Sequence, residues 1–160
     1  MSTATLPLAE QLATRLLQRQ WLLATAESCT GGLIAGACTD LSGSSNWFER
    51  GFVTYSNAAK TELLGVPAAL IDTHGAVSEE VAHAMATGAV QQSHAQVAVA
   101  VTGVAGPTGG TADKPVGLVW FGFVLPGRVL TERMNFTGDR AAVRAATVRH
   151  ALQRLTEMLT

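Results

Sequence analysis

A chain of 160 residues has the size of one domain, and 48% hydrophobic with 14% charged residues describes a chain that buries a core and falls outside the disordered class. A formal net charge of −1 offers no basic face to nucleic acid or to an anionic membrane surface, no apolar run approaches the ~18–20 residues of a membrane span, and residues 1–5 lack the basic start and apolar core of a secretory signal. Two cysteines, Cys29 and Cys38, are too few for a disulfide scaffold and match no zinc spacing, so one domain over residues 1–160 in a reducing cytoplasm is expected.

Pro7 stands where a first helical turn tolerates a missing N–H, and Leu8, Leu12 and Leu16 mark one face of a helix running to about residue 19. Residues 21–24 (Trp-Leu-Leu-Ala) read as a buried strand. The octet at 25–32, Thr-Ala-Glu-Ser-Cys-Thr-Gly-Gly, is then a strand-to-helix crossing, and its helix runs from the small apolar segment at 33–38 to near Leu41. Glycines let the backbone turn tightly there, and the first N–H groups of the helix point at whatever occupies the crossing. Ser28 and Thr30 either cap that helix, as such residues commonly do, or Ser28 presents an oxygen nucleophile to those donors. Residues 42–45 form a turn. Residues 51–56 read as a strand, with Asn57 capping a short helix through Leu64 that Gly65 and Pro67 close. Ser78, Glu79 and Glu80 open another helix, a hydroxyl cap followed by acids at the positive end of the dipole, with Val81, Met85 and Ala89 on one face.

Residues 96–102 are apolar on both faces, as in a central strand covered on both sides. A Gly/Pro-rich loop at 103–117 leads to a hairpin of residues 116–124 and 128–136 around Pro126-Gly127. Gly138-Asp139 opens the last helix, with Ala141, Ala145, Val148, Leu152, Leu155 and Leu159 expected on its buried stripe. Helices alternating with strands, plus one hairpin, argue for an α/β sandwich with a mixed sheet.

Three loops, at 27–32, 55–60 and 102–111, each follow the C-terminal end of an expected strand, where open α/β sheets bind ligands. Serine is a poor nucleophile without a base. The chain holds nine arginines, which keep their protons, but only two lysines, Lys60 and Lys114, of a type that can lose its proton when desolvated. Lys60 falls in the first turn of its expected helix, where the dipole disfavours an ammonium. Ser28 with Lys60, assisted by Tyr55, is therefore a candidate Ser–Lys hydrolase site; the plainer alternative makes Lys60 a solvated helix lysine. Cys29 is a rival nucleophile, but neighbouring side chains at a strand end point oppositely, and Cys29 is assigned to packing. His74, His83, His94 and His150 show no ligand spacing, so no metal is expected. The loop carrying Gly103, Gly106, Gly109 and Gly110 fits neither the dinucleotide fingerprint nor the P-loop, though its N–H groups suit an anion nest. Arg140 and Arg144, at i and i+4, either clamp a phosphate or solvate the last helix.

The runs TAESCTGGLIA, GFVTYSNAAKTELLGV, GAVSEEVAHAMATGA and VAVTGVAGPTGGTADKPVG closely resemble the CinA C-terminal domain family over residues 26–144. Stand-alone members of that family are nicotinamide-nucleotide amidases. The resemblance implies a three-layer αβα sandwich, usually homo-oligomeric, that needs no cofactor or metal. It further implies hydrolysis of nicotinamide mononucleotide to nicotinate mononucleotide and ammonia in pyridine nucleotide recycling. It places the catalytic serine, lysine and tyrosine on Ser28, Lys60 and Tyr55. Thr30, Gly31 and Gly32 are expected at the oxyanion, and Thr102, Gly103, Ala105 and Gly106 around the nucleotide, with Arg140 and Arg144 as phosphate donors. A non-catalytic module that binds pyridine nucleotides is the alternative. Two residues depart from the family pattern: Thr108 stands where Asp is common, and Asp113 where Glu usually precedes Lys-Pro. Larger members carry a further N-terminal domain, and its activity is not expected here.

Overall fold

The computed structural model describes residues 3–160; Met1 and Ser2, the start of the segment read as lacking a signal, lie outside the described residues. After a 3-10 turn at Thr3–Thr5 come α1 (Leu6–Arg19), β1 (Leu23–Glu27), α2 (Leu33–Thr39), a second 3-10 turn at Ser44–Asn46, and β2 (Phe48–Val53). Then follow α3 (Asn57–Leu64), α4 (Ala68–His74), α5 (Glu79–Gln91), β3 (Val97–Gly103), β4 (Leu118–Leu125), β5 (Arg128–Asn135) and α6 (Arg140–Met158). The five strands form one sheet in the order β2-β1-β3-β4-β5. β1 runs parallel to both β2 and β3, while β4 and β5 continue antiparallel. This is the expected mixed sheet, and helices cover both of its faces.

The two faces are unequal because the strands alternate large and small side chains. Leu23, Val97, Val99, Val101, Phe121 and Phe123 point to the layer of α1, α2 and α6. Ala24, Ala26, Ala98 and Ala100 point to the layer of α3, α4 and α5. β1 is buried along its whole length and β3 nearly so, as parallel strands covered on both sides must be. Small residues on the second face let α5 ride close to the sheet. A Cβ on Gly122 of β4 would meet the Ala82 carbonyl oxygen at 2.4 Å and the Ala86 methyl at 3.0 Å.

Several boundaries differ from the sequence reading. The strand expected at 51–56 is Phe48–Val53, and the chain has left the sheet by Thr54. Ser56, not Asn57, caps α3; its hydroxyl accepts the Ala59 N–H at 3.0 Å. Helix α4 was not expected; it starts directly after Pro67, whose fixed φ suits a helix start. On α6, Ala141 and Ala145 are exposed, while Val143 and Thr147 take the buried positions. Alanine fits either face of a helix, so the bulkier Val143, Val148, Leu152 and Leu155 set the phase. Among the described residues no helix is long and apolar enough to cross a membrane.

Gly122→Ala tests the close approach of α5. Overpacking of this kind costs about 1–3 kcal/mol, and Tm falls by about 2–4 °C per kcal/mol in a chain of this size. Thermal melts should show a drop of several degrees with an unchanged far-UV spectrum; an unchanged Tm would mean that α5 has room to spare.

Candidate active site

Because β1, β2 and β3 are parallel, the loops that leave them open at one edge of the sheet. Between those loops lies a cavity of about 210 Å³ whose lining includes Ser28, Tyr55, Lys60, Thr102, Gly103 and Arg140.

The crossing after β1 is built on a buried carboxylate. Glu27 is fully buried; its Oε1 accepts the Ile34 N–H at 2.8 Å and its Oε2 the Ala35 N–H at 3.0 Å. The Thr30 hydroxyl also donates to Oε1. Glu27 thus supplies the cap at the N-terminus of α2, where a negative charge is favoured and unpaired N–H groups need acceptors. The cap reading of Ser28 and Thr30 is corrected accordingly. Thr30 supports the cap, and the Ser28 hydroxyl is left for the cavity. Gly31 and Gly32 take φ of +59° and +107°, a left-handed pair that glycine adopts without strain. The Ser28 N–H donates to the Val101 carbonyl at 3.1 Å and the Gly31 N–H to the Ser28 carbonyl at 3.0 Å. Among the described residues the N–H groups of Thr30 and Gly32 have no such acceptor.

Lys60 comes from the second loop. Ala, Lys, Glu and Leu favour the α3 helix, Ser56 starts it, and Gly65 at φ +70° stops it. Lys60 and Leu64, at i and i+4, form its buried face. Lys60 is only 1% exposed, so it is not a solvated helix lysine. Its Nζ lies 3.1 Å from Ser28 Oγ, donates to the Thr54 carbonyl at 2.8 Å, and makes a longer contact of 3.5 Å with the Tyr55 carbonyl. Two carbonyls and one hydroxyl surround the amine as hydrogen-bond partners in either protonation state. Burial pulls the Lys60 pKa below its ordinary value, opposed in part by the Cys29 thiol.

Tyr55 does not meet Lys60 through its phenol. The ring is 62% exposed, and its hydroxyl accepts from Arg140 Nη2 at 3.1 Å; the backbone carbonyl is what faces the amine. Arg140 Nη1 also donates to the Gly106 carbonyl at 2.9 Å, so one guanidinium joins the second and third loops across the cavity. Arg144 stands further back. It donates to the Cys29 carbonyl at 3.1 Å and to the Thr30 carbonyl at 3.2 Å, which braces the crossing. Arg140 and Arg144 also border a wider cleft of about 630 Å³, which shares Ala105 and Arg140 with the smaller cavity. The Thr102 hydroxyl is taken up by the Ala76 carbonyl at 2.8 Å. Thr102, Gly103 and Ala105 therefore line the cavity, whereas Thr30, Gly31, Gly32 and Gly106 shape its surroundings.

Cys29 also borders the cavity, although it was expected to turn away from Ser28. It is 6% exposed, and burial pushes its thiol up to about 12. Among the described residues no group of three His, Cys, Asp or Glu side chains is placed to hold a metal ion. The cap by Glu27 escaped the sequence reading, although an acid at a strand end six residues before a helix was its signal. The carbonyls of Thr54 and Tyr55 carry no sequence signal.

A model of the CinA C-terminal domain matches residues 5–159. The nicotinamide-nucleotide amidohydrolase PncC of Enterobacter agglomerans is 56% identical over 147 residues, which cover 91% of this chain and 90% of that protein. The protein of the same name from Escherichia coli K12 is 51% identical over 149 residues, or 92% and 90% of the two chains. Among solved structures, the competence/damage inducible protein CihA from Agrobacterium tumefaciens superposes with a TM-score of 0.96 at 46% identity, covering 100% of this chain and 98% of that one.

The state of the thiols gives a test of the site that needs no substrate. Burial raises the pKa of both Cys29 and Cys38, so neither holds thiolate at pH 8. A disulfide reagent such as DTNB should label the native protein slowly and report two thiols once guanidinium unfolds it. Rapid labelling of Cys29 in the native protein would show an activated thiol and reopen its claim as nucleophile.

Proposed function

This chain belongs to the CinA C-terminal domain family, and on that premise we propose that it hydrolyses the carboxamide of nicotinamide mononucleotide, giving nicotinate mononucleotide and ammonia. The observation that carries the reading is the buried Lys60 amine 3.1 Å from Ser28 Oγ, inside a cavity at the C-terminal edge of the sheet. Relatives at 51% and 56% identity are called nicotinamide-nucleotide amidohydrolases.

The chemistry follows from the donor and acceptor arrangement. Neutral Lys60 takes the proton of Ser28, and Oγ bonds to the carboxamide carbon. The N–H groups of Thr30 and Gly32 are the donors we assign to the oxyanion; a donor of this kind contributes roughly 10²–10³ in rate. The C–N bond then breaks, the Lys60 ammonium returns its proton to the departing nitrogen, and ammonia leaves. Water attacks the ester as Lys60 accepts its proton, the Lys60 ammonium passes that proton to Ser28 Oγ as the acyl–oxygen bond breaks, and the acid departs. Lys60 performs every proton transfer, which the lowered pKa of its amine permits.

Binding is assigned to the rest of the lining. Thr102, Gly103 and Ala105 face the pyridine and ribose. Arg140, which already bridges the two loops, reaches both the cavity and the adjoining cleft and is our candidate for the phosphate. Arg144 donates to two backbone carbonyls, and we assign it to holding the crossing before any contact with phosphate. Tyr55 serves as a rim residue that orients Arg140. Remote binding energy from ribose and phosphate is what orients the amide, so free nicotinamide and its riboside should be poor substrates. The family resemblance supports a cytoplasmic homo-oligomer.

Ammonia release from the mononucleotide by the purified protein tests the reading. Ser28→Ala should abolish turnover with Tm near that of the parent, and Cys29→Ala should retain most of it. Lys60→Arg keeps the charge but supplies no neutral base, so it should lose more than ~10² in kcat/KM. In the parent, kcat/KM should climb with pH as Lys60 deprotonates and level off below the ordinary lysine range, because burial lowers that pKa. Binding of the mononucleotide without ammonia release would make the domain a nucleotide-binding module, and an active Lys60→Arg protein would remove the Ser–Lys mechanism.

A further inference from the structure

The chemistry at Ser28 leaves the chain's other lysine without a task. Lys114 lies in the glycine-rich loop between β3 and β4, and its Nζ donates across to the His74 carbonyl at 2.6 Å. That carbonyl belongs to the last residue of α4, where helix carbonyls lack a partner of their own. The lysine is set firmly for this reach. Its N–H donates to Thr111 Oγ1 at 3.0 Å, and the Thr111 N–H donates back to the Lys114 carbonyl at 2.9 Å, closing a tight turn. A second observation points the same way. Gly75, at φ +79°, is the residue the ammonium passes, and a Cβ there would lie 2.6 Å from Nζ.

The segment that Lys114 grips is one wall of the cavity. Ala76 and Val77 line it from the connection between α4 and α5, while Gly103 and Ala105 line it from the start of the glycine-rich loop. The wall is pinned from below, where the Thr102 hydroxyl donates to the Ala76 carbonyl and the Ser78 hydroxyl to the Gly75 carbonyl, both at 2.8 Å. Beside it, His74 Nδ1 stands 3.5 Å from Glu80. Lys114 is the cross-tie between this connection and the far end of the loop.

We infer that Lys114 is a positioning residue, a latch that holds the loop against the α4–α5 connection and so sets the width of the slot receiving the flat pyridine carboxamide. The inference rests on the amidase reading for the identity of the ligand. Without the latch the far end of the loop is no longer tied to the α4–α5 connection, and ordering it falls to the substrate as a cost of binding. Such a loss weakens ground and transition states alike, and it appears in KM and not in kcat.

The test uses four variants: Lys114→Ala, Lys114→Arg, Gly75→Ala and the Gly75→Ala/Lys114→Ala double. Nicotinamide mononucleotide binding is measured by calorimetry with Ser28→Ala added to each, and steady-state turnover is measured with Ser28 in place. Lys114→Ala should raise Kd and KM about tenfold, the scale of one charge-assisted hydrogen bond at a partly exposed site, with kcat within about threefold. Lys114→Arg, which keeps a cationic donor, should recover most of the loss. Gly75→Ala should weaken binding by displacing the ammonium, and should add nothing once Lys114 is alanine. Unchanged Kd and KM, a fall in kcat at constant KM, or additive effects of the two substitutions would overturn the latch. If Lys114→Ala fails to fold, Kd for Lys114→Arg and Gly75→Ala decides: parent-like affinity in the first and weakened affinity in the second support the latch, and any other pair overturns it. A parent protein that binds the mononucleotide but releases no ammonia would fail the amidase reading while the calorimetric comparison still judges the latch.

Discussion

Lys60 is a long amine, buried to 1% exposure, with no carboxylate within ion-pairing distance among the described residues. A buried ammonium without an acid partner is costly, and such a group lowers its pKa and sheds its proton instead. Two backbone carbonyls and the Ser28 hydroxyl are the partners of the amine. Glu27, in the neighbouring crossing, has both of its oxygens occupied by the N-terminus of α2. That carboxylate caps a helix and, among the described residues, makes no ion pair with the amine.

The fold delivers these groups to one place through its topology. Parallel β1, β2 and β3 send the crossing, the start of α3 and the glycine-rich loop out at the same edge. Each loop is then fixed by contacts that reach across the chain. Arg144 of α6 braces the crossing through two carbonyls, and Arg140 joins Tyr55 to Gly106. Lys114 ties the glycine-rich loop to α4. Catalysis by positioning needs reacting atoms held to fractions of an ångström, and loops left to their own flexibility do not provide that.

Much of this was legible in the residues. With only Lys60 and Lys114 in the chain, the search for a neutral base was short, and the apolar stretch of β3 marked the sheet centre. The Ser78 cap and the Pro126-Gly127 turn also fell where local chemistry puts them. What escaped was decided by distant partners. Whether Ser28 or Glu27 caps α2 depends on which side chain the folded turn aims at the helix. Arg144 reads as a solvent cation until the crossing, 114 residues earlier in the chain, is packed against it. The Tyr55 phenol reads as a proton relay until the chain turns outward at Thr54 and leaves only its carbonyl beside the amine. Alanines at 141 and 145 fit a buried stripe as readily as an exposed one, so the face of α6 was set by the sheet it meets.

The neutrality of Lys60 is the claim on which the account turns, and two lysines make it directly measurable. Labelling lysine side chains with ¹³C at Cε gives two signals, and Lys60→Arg identifies the one that disappears. Titration of the folded protein should carry the Lys60 signal through its transition well below the ordinary lysine value of about 10.4, in line with its burial. A Lys60 signal that titrates at or above that value would mean that the amine is an ammonium at working pH, and the Ser28–Lys60 mechanism would fall with it.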